Sequence, residues 1–425
     1  LARYLLAASP LRGHVLPMLD IGAGLRELGH HVTVLTGAGY ADAVRAAGLT
    51  MQALPDEVRI DPPSAVPAPL RALPAQLRRF WLGRAELDTV FARPLPAESR
   101  ALATVLQDSP VDAVLADITF TGVLPMLLDD GPRPPVVICN VGPLTLSSAD
   151  VPPFGMAWRP EPGVDYRAMT AVAHRVIMRG SQRRFNRALA AARSRPSPVF
   201  ISDWPRLADG VVQLAVQDFE YSRSDLPPMV EFVGPVLPGK GKVDKGLPDW
   251  WPDVQRAGSV VHVTQGTFDN TDLDQLIAPT LEALADREDL LVVVSTGRPD
   301  TRLSCPVPGN ARVTDWVPYA ALMPLVGAMV TNGGYGGVQY ALSHGVPLVV
   351  AGETSDKAEV AARVVHSGVG VDLGTSTPSA QAIRAAVDRV LADDRYRTAA
   401  AGLRRAIEAT TPVDSIANVL KRCGE

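Results

Sequence analysis

Short apolar runs alternate with longer segments of helical periodicity along most of the chain. In the first half the runs are Tyr4–Ala8, Val32–Thr36, Ala113–Ala116, Val136–Cys139, Val199–Ile201 and Val211–Val216. In the second half they are Val260–Thr264, Leu291–Ser295, Arg312–Thr314, Ala328–Thr331, Leu348–Val350 and Val369–Asp372, with helical patterns at 272–286, 335–344, 356–366 and 379–392. Apolar runs this short, bounded by turn residues, read as buried strands. Strands alternating with helices predict βαβ units around a mainly parallel sheet. His14–Leu28 fits the first crossover helix, with Pro17 tolerated in its first turn.

Residues 222–252, SRSDLPPMVEFVGPVLPGKGKVDKGLPDWWP, break the alternation with Pro, Gly and Lys and read as a linker. The expected fold is therefore α/β, with two doubly wound, Rossmann-like domains at 1–221 and 253–405. A terminal segment, 406–425, is expected to pack back on the first domain. Open parallel sheets bind ligands at the carboxyl ends of their strands, so two facing sheets predict a cleft holding one ligand from both sides. Two stretches, 56–100 and 143–185, are rich in Pro, Arg and aromatics and read as insertions over one end of the first sheet.

At 425 residues the chain exceeds one ordinary domain, which agrees with that division. A net charge of −4 argues against nucleic acid as the main partner, although Arg71, Arg78, Arg79 and Arg84 form a local basic group. Cys139, Cys305 and Cys423 are odd in number and lack disulfide or zinc spacing, so a reducing cytoplasm is expected. The run Leu5–Ala8 is too short for a signal core, and no stretch of 18 apolar residues is present to span a membrane.

Candidate chemistry concentrates in TNGGYGGVQYALSHGVP, residues 331–347. A strand ends at Thr331; Asn332, Gly333 and Gly334 lead into a helix whose first turn holds Gly336 and Gly337. Missing side chains let a ligand approach the backbone. The first amides of a helix have no internal partner and sit at the positive end of its dipole. That favours phosphate or diphosphate; the alternative is a tight turn whose glycines serve packing. Familiar nucleotide fingerprints fail. GPVLPGKG at 234–241 ends in Gly241 where a Ser or Thr would reach magnesium, and GAGLRE at 22–27 lacks the last glycine of the dinucleotide motif. The acid pair in DLD at 272–274 reads as a helix start. No essential metal and no cofactor are expected.

In SPLRGHVLP, His14 opens the first helix at the carboxyl edge of the sheet, where an imidazole suits general base catalysis. VDAVLAD places Asp117 after another strand at the same edge, able to orient the imidazole. The alternative is that each residue merely caps its own helix.

Together these segments resemble the GT-B-fold glycosyltransferases of family 1, above all the bacterial macrolide and antibiotic glycosyltransferases, which are similar to the UDP-sugar transferases. The resemblance covers nearly the whole chain. It runs through GHVLPMLDIGAGLRELGHHVTVLT at 13–36, VEFVGPVLP at 230–238, VTQGT at 263–267, DWVPYAALMP at 315–324 and TNGGYGGVQYALSHGVPLVVAGETSDKAEVAARV at 331–364. It implies an inverting single displacement from a UDP- or dTDP-sugar to a hydroxyl of a small natural product. His14 would be the base and Asp117 its support. Gly266 and Thr267 match a loop near the diphosphate, Trp316 and Val317 the nucleobase contact, and Asp356 and Lys357 the pair on the sugar hydroxyls.

Four positions depart from the family's usual residues. Asn332 stands for histidine, Gly337 for Ser or Thr, Tyr340 for the ribose glutamate and Lys357 for glutamine. Diphosphate binding is thus expected to lean on the helix mouth, with Lys357 compensating. Phe80, Trp81, Phe91, Phe154, Met156 and Trp158 in the insertions are expected to wall an apolar acceptor pocket. A nucleotide-sugar epimerase or hydrolase of the same fold, and a non-catalytic accessory homologue, are the alternative functions.

Overall fold

The computed structural model describes residues 1–60, 69, 72–237, 246–266, 270–299 and 303–425. Thr267, Arg71 and part of 234–241 lie outside the described residues. Seven strands build the first sheet: β1 (Arg3–Ala7), β2 (His31–Gly37), β3 (Thr50–Leu54), β4 (Ala113–Asp117), β5 (Val136–Asn140), β6 (Gly210–Gln213) and β7 (Val230–Phe232). Their spatial order is β3-β2-β1-β4-β5-β6-β7, with every pairing parallel. Six strands build the second: β8 (Val260–Thr264), β9 (Leu291–Ser295), β10 (Ala311–Thr314), β11 (Val326–Thr331), β12 (Leu348–Val350) and β13 (Gly370–Asp372). They lie in the order β10-β9-β8-β11-β12-β13, again all parallel.

The continuous apolar runs have a direct cause. Helices cover both faces of each sheet, so alternate side chains of a strand are buried on opposite sides. β4, β5, β8 and β9 are buried at every position. Each sheet accordingly separates two apolar clusters, one per face. In both sheets the order reverses beside the first strand of the series, β1 or β8. That opens a crevice at the carboxyl edge where the crossover chains diverge.

Three expectations need adjustment. The run Val199–Ile201 is not a strand: Pro196 and Pro198 precede it, and the chain enters a 3-10 helix, Ile201–Leu207. The stretch 222–252 is not wholly a linker, because Val230–Phe232 within it pairs with β6 and closes the first sheet. Nor do the cores divide at one point. Ala215, Val216 and Phe219 pack into the second domain's core with Trp251 and Val254. In return Ile416, Val419 and Leu420, on the last helix Pro412–Gly424, pack into the first domain's core. Among the described residues no helix is long and apolar enough to cross a membrane.

Candidate active site

Two loops build the first wall of the cleft. After β1, Ser9 and Pro10 turn the chain into the helix Arg12–Glu27, and His14 lies in its first turn. β4 ends at Asp117. β1 and β4 are neighbours in register, Ala7 opposite Ala116, so the two residues meet at the sheet edge. His14 Nδ1 lies 2.8 Å from Asp117 Oδ1. Asp117 is fully buried while the His14 side chain is 24% exposed, so the imidazole reaches the cleft with its support behind it.

The other oxygen of Asp117 accepts from the Thr119 amide at 3.0 Å and from the Thr119 hydroxyl. A carboxylate held on both oxygens can only accept, so Nδ1 donates and Nε2 is left as the basic atom. Burial opposes the charged imidazolium. Asp117, by charge and hydrogen bond, outweighs it with help from Asp356 and Glu86, and the His14 pKa is raised above its ordinary value.

Glu98 sits beneath this pair, fully buried. One of its oxygens accepts from Ser9 Oγ at 2.7 Å and the other from the Gly122 amide at 3.1 Å. It thereby ties the loop leading to His14 to the loop leaving Asp117. A Cβ on Gly122 would stand 2.4 Å from the Glu98 Cβ, so only glycine fits there. Burial pushes the Glu98 carboxyl up to about 8.

The second wall is made of backbone. β11 ends at Thr331 and the helix Tyr335–Ser343 follows after three residues. Gly333 has φ +84°, and a Cβ there would meet Val350 Cγ1 at 2.7 Å, so this glycine serves the turn and its packing. Gly336 and Gly337 differ. A Cβ on Gly336 meets nothing within 4 Å and one on Gly337 only Met329 Cε at 3.9 Å, so the helix mouth is open. The mouth faces the first domain: Gln213 at the end of β6 donates to the Tyr335 hydroxyl at 3.0 Å.

Asn332 is buried and bridges the two loops that follow β8 and β11. Its amide nitrogen donates to the Gln265 carbonyl at 2.5 Å, and its oxygen accepts from Gly334 N at 3.4 Å. Gly266, with φ +70°, turns the neighbouring loop. Trp316 is half-buried, and its carbonyl accepts from the Thr314 hydroxyl at 3.0 Å. The Val317 side chain is in the second core, so only its backbone can meet a base. Tyr340 does not replace a carboxylate. It stacks on His344 at 5.0 Å and leans on Tyr319 at 5.6 Å.

Asp356 and Lys357 close the floor between the walls. Asp356 Oδ2 would lie 3.4 Å from a Cβ on Gly142, which follows β5 in the first domain. Burial raises the Asp356 pKa, and Lys357 and His14 act against the rise. The buried Lys357 ammonium donates to Thr354 Oγ1 at 2.6 Å and carries positive charge toward both Asp356 and Glu86. Glu86 ends the insertion helix Ala75–Glu86 and hydrogen-bonds Ser355. Burial first, then Asp356, pushes its carboxyl up to about 7. From the same insertion Arg78 pairs with Glu353. Neither contact has a sequence signal, since each joins residues more than 260 positions apart.

The six aromatic and Met positions in the insertions make the following contacts. Phe91 packs against the first core. Phe80 and Trp81 meet edge to face at 5.7 Å under Arg84. Phe154 and Trp158 line a recess of about 10 Å³, room for one water and not for an aglycone. The Met156 carbonyl accepts from Arg79 at 3.2 Å. The insertions nonetheless hold eight of the fourteen exposed large apolar side chains among the described residues, which marks them as the apolar surface of the molecule. Among the described residues no three His, Cys, Asp or Glu side chains are grouped to hold a metal ion.

Two all-parallel sheets, with His14 at the carboxyl edge of one and Asp356 of the other domain within electrostatic reach, have the architecture of GT-B transferases. Comparisons with known proteins agree. Residues 278–423 match the family described as "Erythromycin biosynthesis protein CIII-like, C-terminal domain". The chain is 36% identical to 4'-demethylrebeccamycin synthase of Lentzea aerocolonigenes, over 95% of this chain and 95% of that protein. It is 34% identical to UDP-glycosyltransferase 2 of Phaeomoniella chlamydospora, over 97% and 94%. Its fold matches the crystal structure of the glycotransferase of kitacinnamycin with a TM-score of 0.74 at 22% identity, over 99% of this chain and 98% of that one. The chain belongs to the GT-B glycosyltransferases of the UDP-glycosyltransferase and antibiotic glycosyltransferase type, and it is a glycosyltransferase.

Proposed function

We propose that the enzyme transfers a sugar from a nucleoside diphosphate, UDP or dTDP, to a hydroxyl of a small, largely apolar natural product, with inversion at the anomeric carbon. The supporting observation is the His14–Asp117 pair, with Asp117 fully buried, the imidazole 24% exposed, and His14 electrostatically linked to Asp356 on the opposite domain. His14 Nε2 takes the hydroxyl proton as the acceptor oxygen attacks the anomeric carbon. The bond from that carbon to the phosphate oxygen breaks, and the diphosphate leaves with the electron pair. Asp117 stabilises the imidazolium so formed.

In this reading the open amides at 333–337, with Gly266 and Thr267, hold the leaving diphosphate, and Asn332 holds their two loops together rather than adding charge. Trp316 stacks on the base beside the Val317 backbone. Asp356 and Lys357 meet the sugar hydroxyls. The acceptor lies along the insertions, where the exposed apolar side chains concentrate, next to Phe80, Trp81, Met156 and Trp158. No essential metal is assigned, because backbone dipoles and Lys357 supply the positive field on the leaving group.

The test is direct. The purified protein is incubated with UDP-glucose or dTDP-glucose and a panel of apolar polyketide and aromatic aglycones, with and without EDTA. Glycosylated product of inverted configuration, unaffected by EDTA, is the expected result. Donor breakdown that no aglycone changes would identify a hydrolase instead.

A further inference from the structure

The loop that carries Phe154, Met156 and Trp158 is anchored by the opposite domain. Gly155 has φ +95° and Ala157 φ +54°. The second value lies in the left-handed region, which an L side chain disfavours. The amides of these two residues converge on a single atom, Glu359 Oε1, at 2.7 and 2.8 Å. Amides gathered round a left-handed turn form a concave anion site, and here the anion is a side chain of the second domain.

Glu359 belongs to the helix Lys357–His366, which starts beside Asp356 and Lys357. Its other oxygen accepts from Arg363 Nη1 at 2.9 Å. Arg363 Nε in turn lies 2.8 Å from Glu220 Oε1, and the guanidinium lies over the Tyr221 ring at 4.5 Å. The side chains of Glu359, Arg363 and Glu220 are 8%, 1% and 0% exposed. Charges buried this deeply tolerate only one arrangement, because separating any pair leaves an uncompensated ion.

We propose that Glu359 is a positioning residue for the acceptor: it holds loop 153–158 in its left-handed turn and thereby directs Phe154, Met156 and Trp158. The proposal rests on the reading of that loop as acceptor-facing. Its consequence is a dependence between the two substrates. The acceptor wall takes its shape only while the helix that begins at the donor's sugar end is docked against it. Residues 155 and 157 supply amides to the clamp, and the alternating residues 154, 156 and 158 supply the apolar surface.

The test has two arms. Hydrogen exchange of the substrate-free protein reads the clamp itself. Glu359→Ala is expected to speed exchange at amides 155 and 157 by at least about tenfold, with sheet amides unchanged, since each loses its only acceptor. Steady-state kinetics read the role. Glu359→Ala is expected to raise the acceptor KM about tenfold at unchanged donor KM, while Glu359→Gln, which keeps an accepting oxygen for the two amides but turns an NH2 group toward Arg363, is expected to raise it less than Glu359→Ala does. Adding Ala157→Gly to Glu359→Ala is expected to recover part of the acceptor KM, because glycine adopts the turn unaided. Unchanged exchange at 155 and 157 overturns the clamp. Changed exchange with both KM values unmoved, or moved equally, overturns the positioning role. A parent enzyme that glycosylates no acceptor would refute the acceptor reading, and the exchange arm would still decide whether the clamp exists.

Discussion

At the carboxyl edge of the first sheet the cleft is lined by ionisable side chains, His14 and Asp117, with Glu98 behind them. At the matching edge of the second sheet the lining is peptide backbone, the amides at 333–337 and the turn at Gly266. Both edges come from the same strand-helix architecture, so on the proposed function the difference follows what each ligand needs. A hydroxyl must lose a proton, which requires a group that titrates. A diphosphate already carries its charge, and fixed dipoles bind it without taking up or releasing protons.

The largest expected effect falls on the first wall. His14→Ala should lower turnover by about 10²–10⁴, the usual contribution of a positioned base, with donor affinity unchanged by calorimetry. Transfer at the parent rate would remove the base from the scheme. Asp117→Asn tests the same wall through pH. The raised His14 pKa places the acid limb of kcat/KM above pH 6.5, because the imidazole must be neutral to accept a proton. Without the Asp117 charge that limb should move to lower pH, with a lower plateau.

The second wall should respond in the opposite sense. Gly336→Val puts a side chain into open space at the helix mouth, so the fold should hold while donor affinity falls by about 10–100-fold, the loss of a hydrogen bond to a charged group. Its acid limb should stay in place. A smaller effect, about threefold to tenfold weaker donor binding, is expected for Lys357→Ala, because one hydrogen bond contributes on the order of 1 kcal/mol net. Unchanged donor binding would confine Lys357 to its contacts with Thr354, Asp356 and Glu86.

Stability sharpens the same contrast. Glu98 in the first domain has a folded pKa raised to about 8. Its contribution is therefore complete below the unfolded value near 4.5 and is lost as pH rises through 8. His262, buried in β8 of the second domain, donates from Nδ1 to Val293 O and accepts at Nε2 from the Tyr319 hydroxyl, and burial lowers its folded pKa to about 4. Its contribution is complete above the unfolded value near 6.5 and is lost as pH falls through 4. Urea unfolding across pH should show Glu98→Gln flattening the alkaline side and His262→Gln the acid side.

Much of this was legible in the chain. Short buried runs announce parallel strands because both faces of each strand are covered. The helix mouth was readable as a candidate because glycines cluster between a strand and a helix; Gly333 serves the turn, while Gly336 and Gly337 leave the mouth open. His14 and Asp117 could be paired because each stands at the carboxyl end of a predicted strand, on the same edge of one sheet. Glu86, Arg78, Glu98 and Glu359 could not. Each works through a partner far away in sequence, and a lone Glu or Arg on a helix is ordinarily a solvated face. Thr119 carried a weak signal, two residues beyond Asp117, where a hydroxyl commonly folds back on a carboxylate. Val230–Phe232 was hidden because two apolar residues flanking Glu231 among prolines look like a loop until an edge strand needs a neighbour.

The interleaved cores have a practical consequence for anyone recombining such enzymes. A chimera cut once near residue 221 would give the front half a foreign Ile416, Val419 and Leu420 and the back half a foreign Ala215, Val216 and Phe219. A graft that keeps both interiors native must move β7 and the tail with the front and the 215–219 segment with the back.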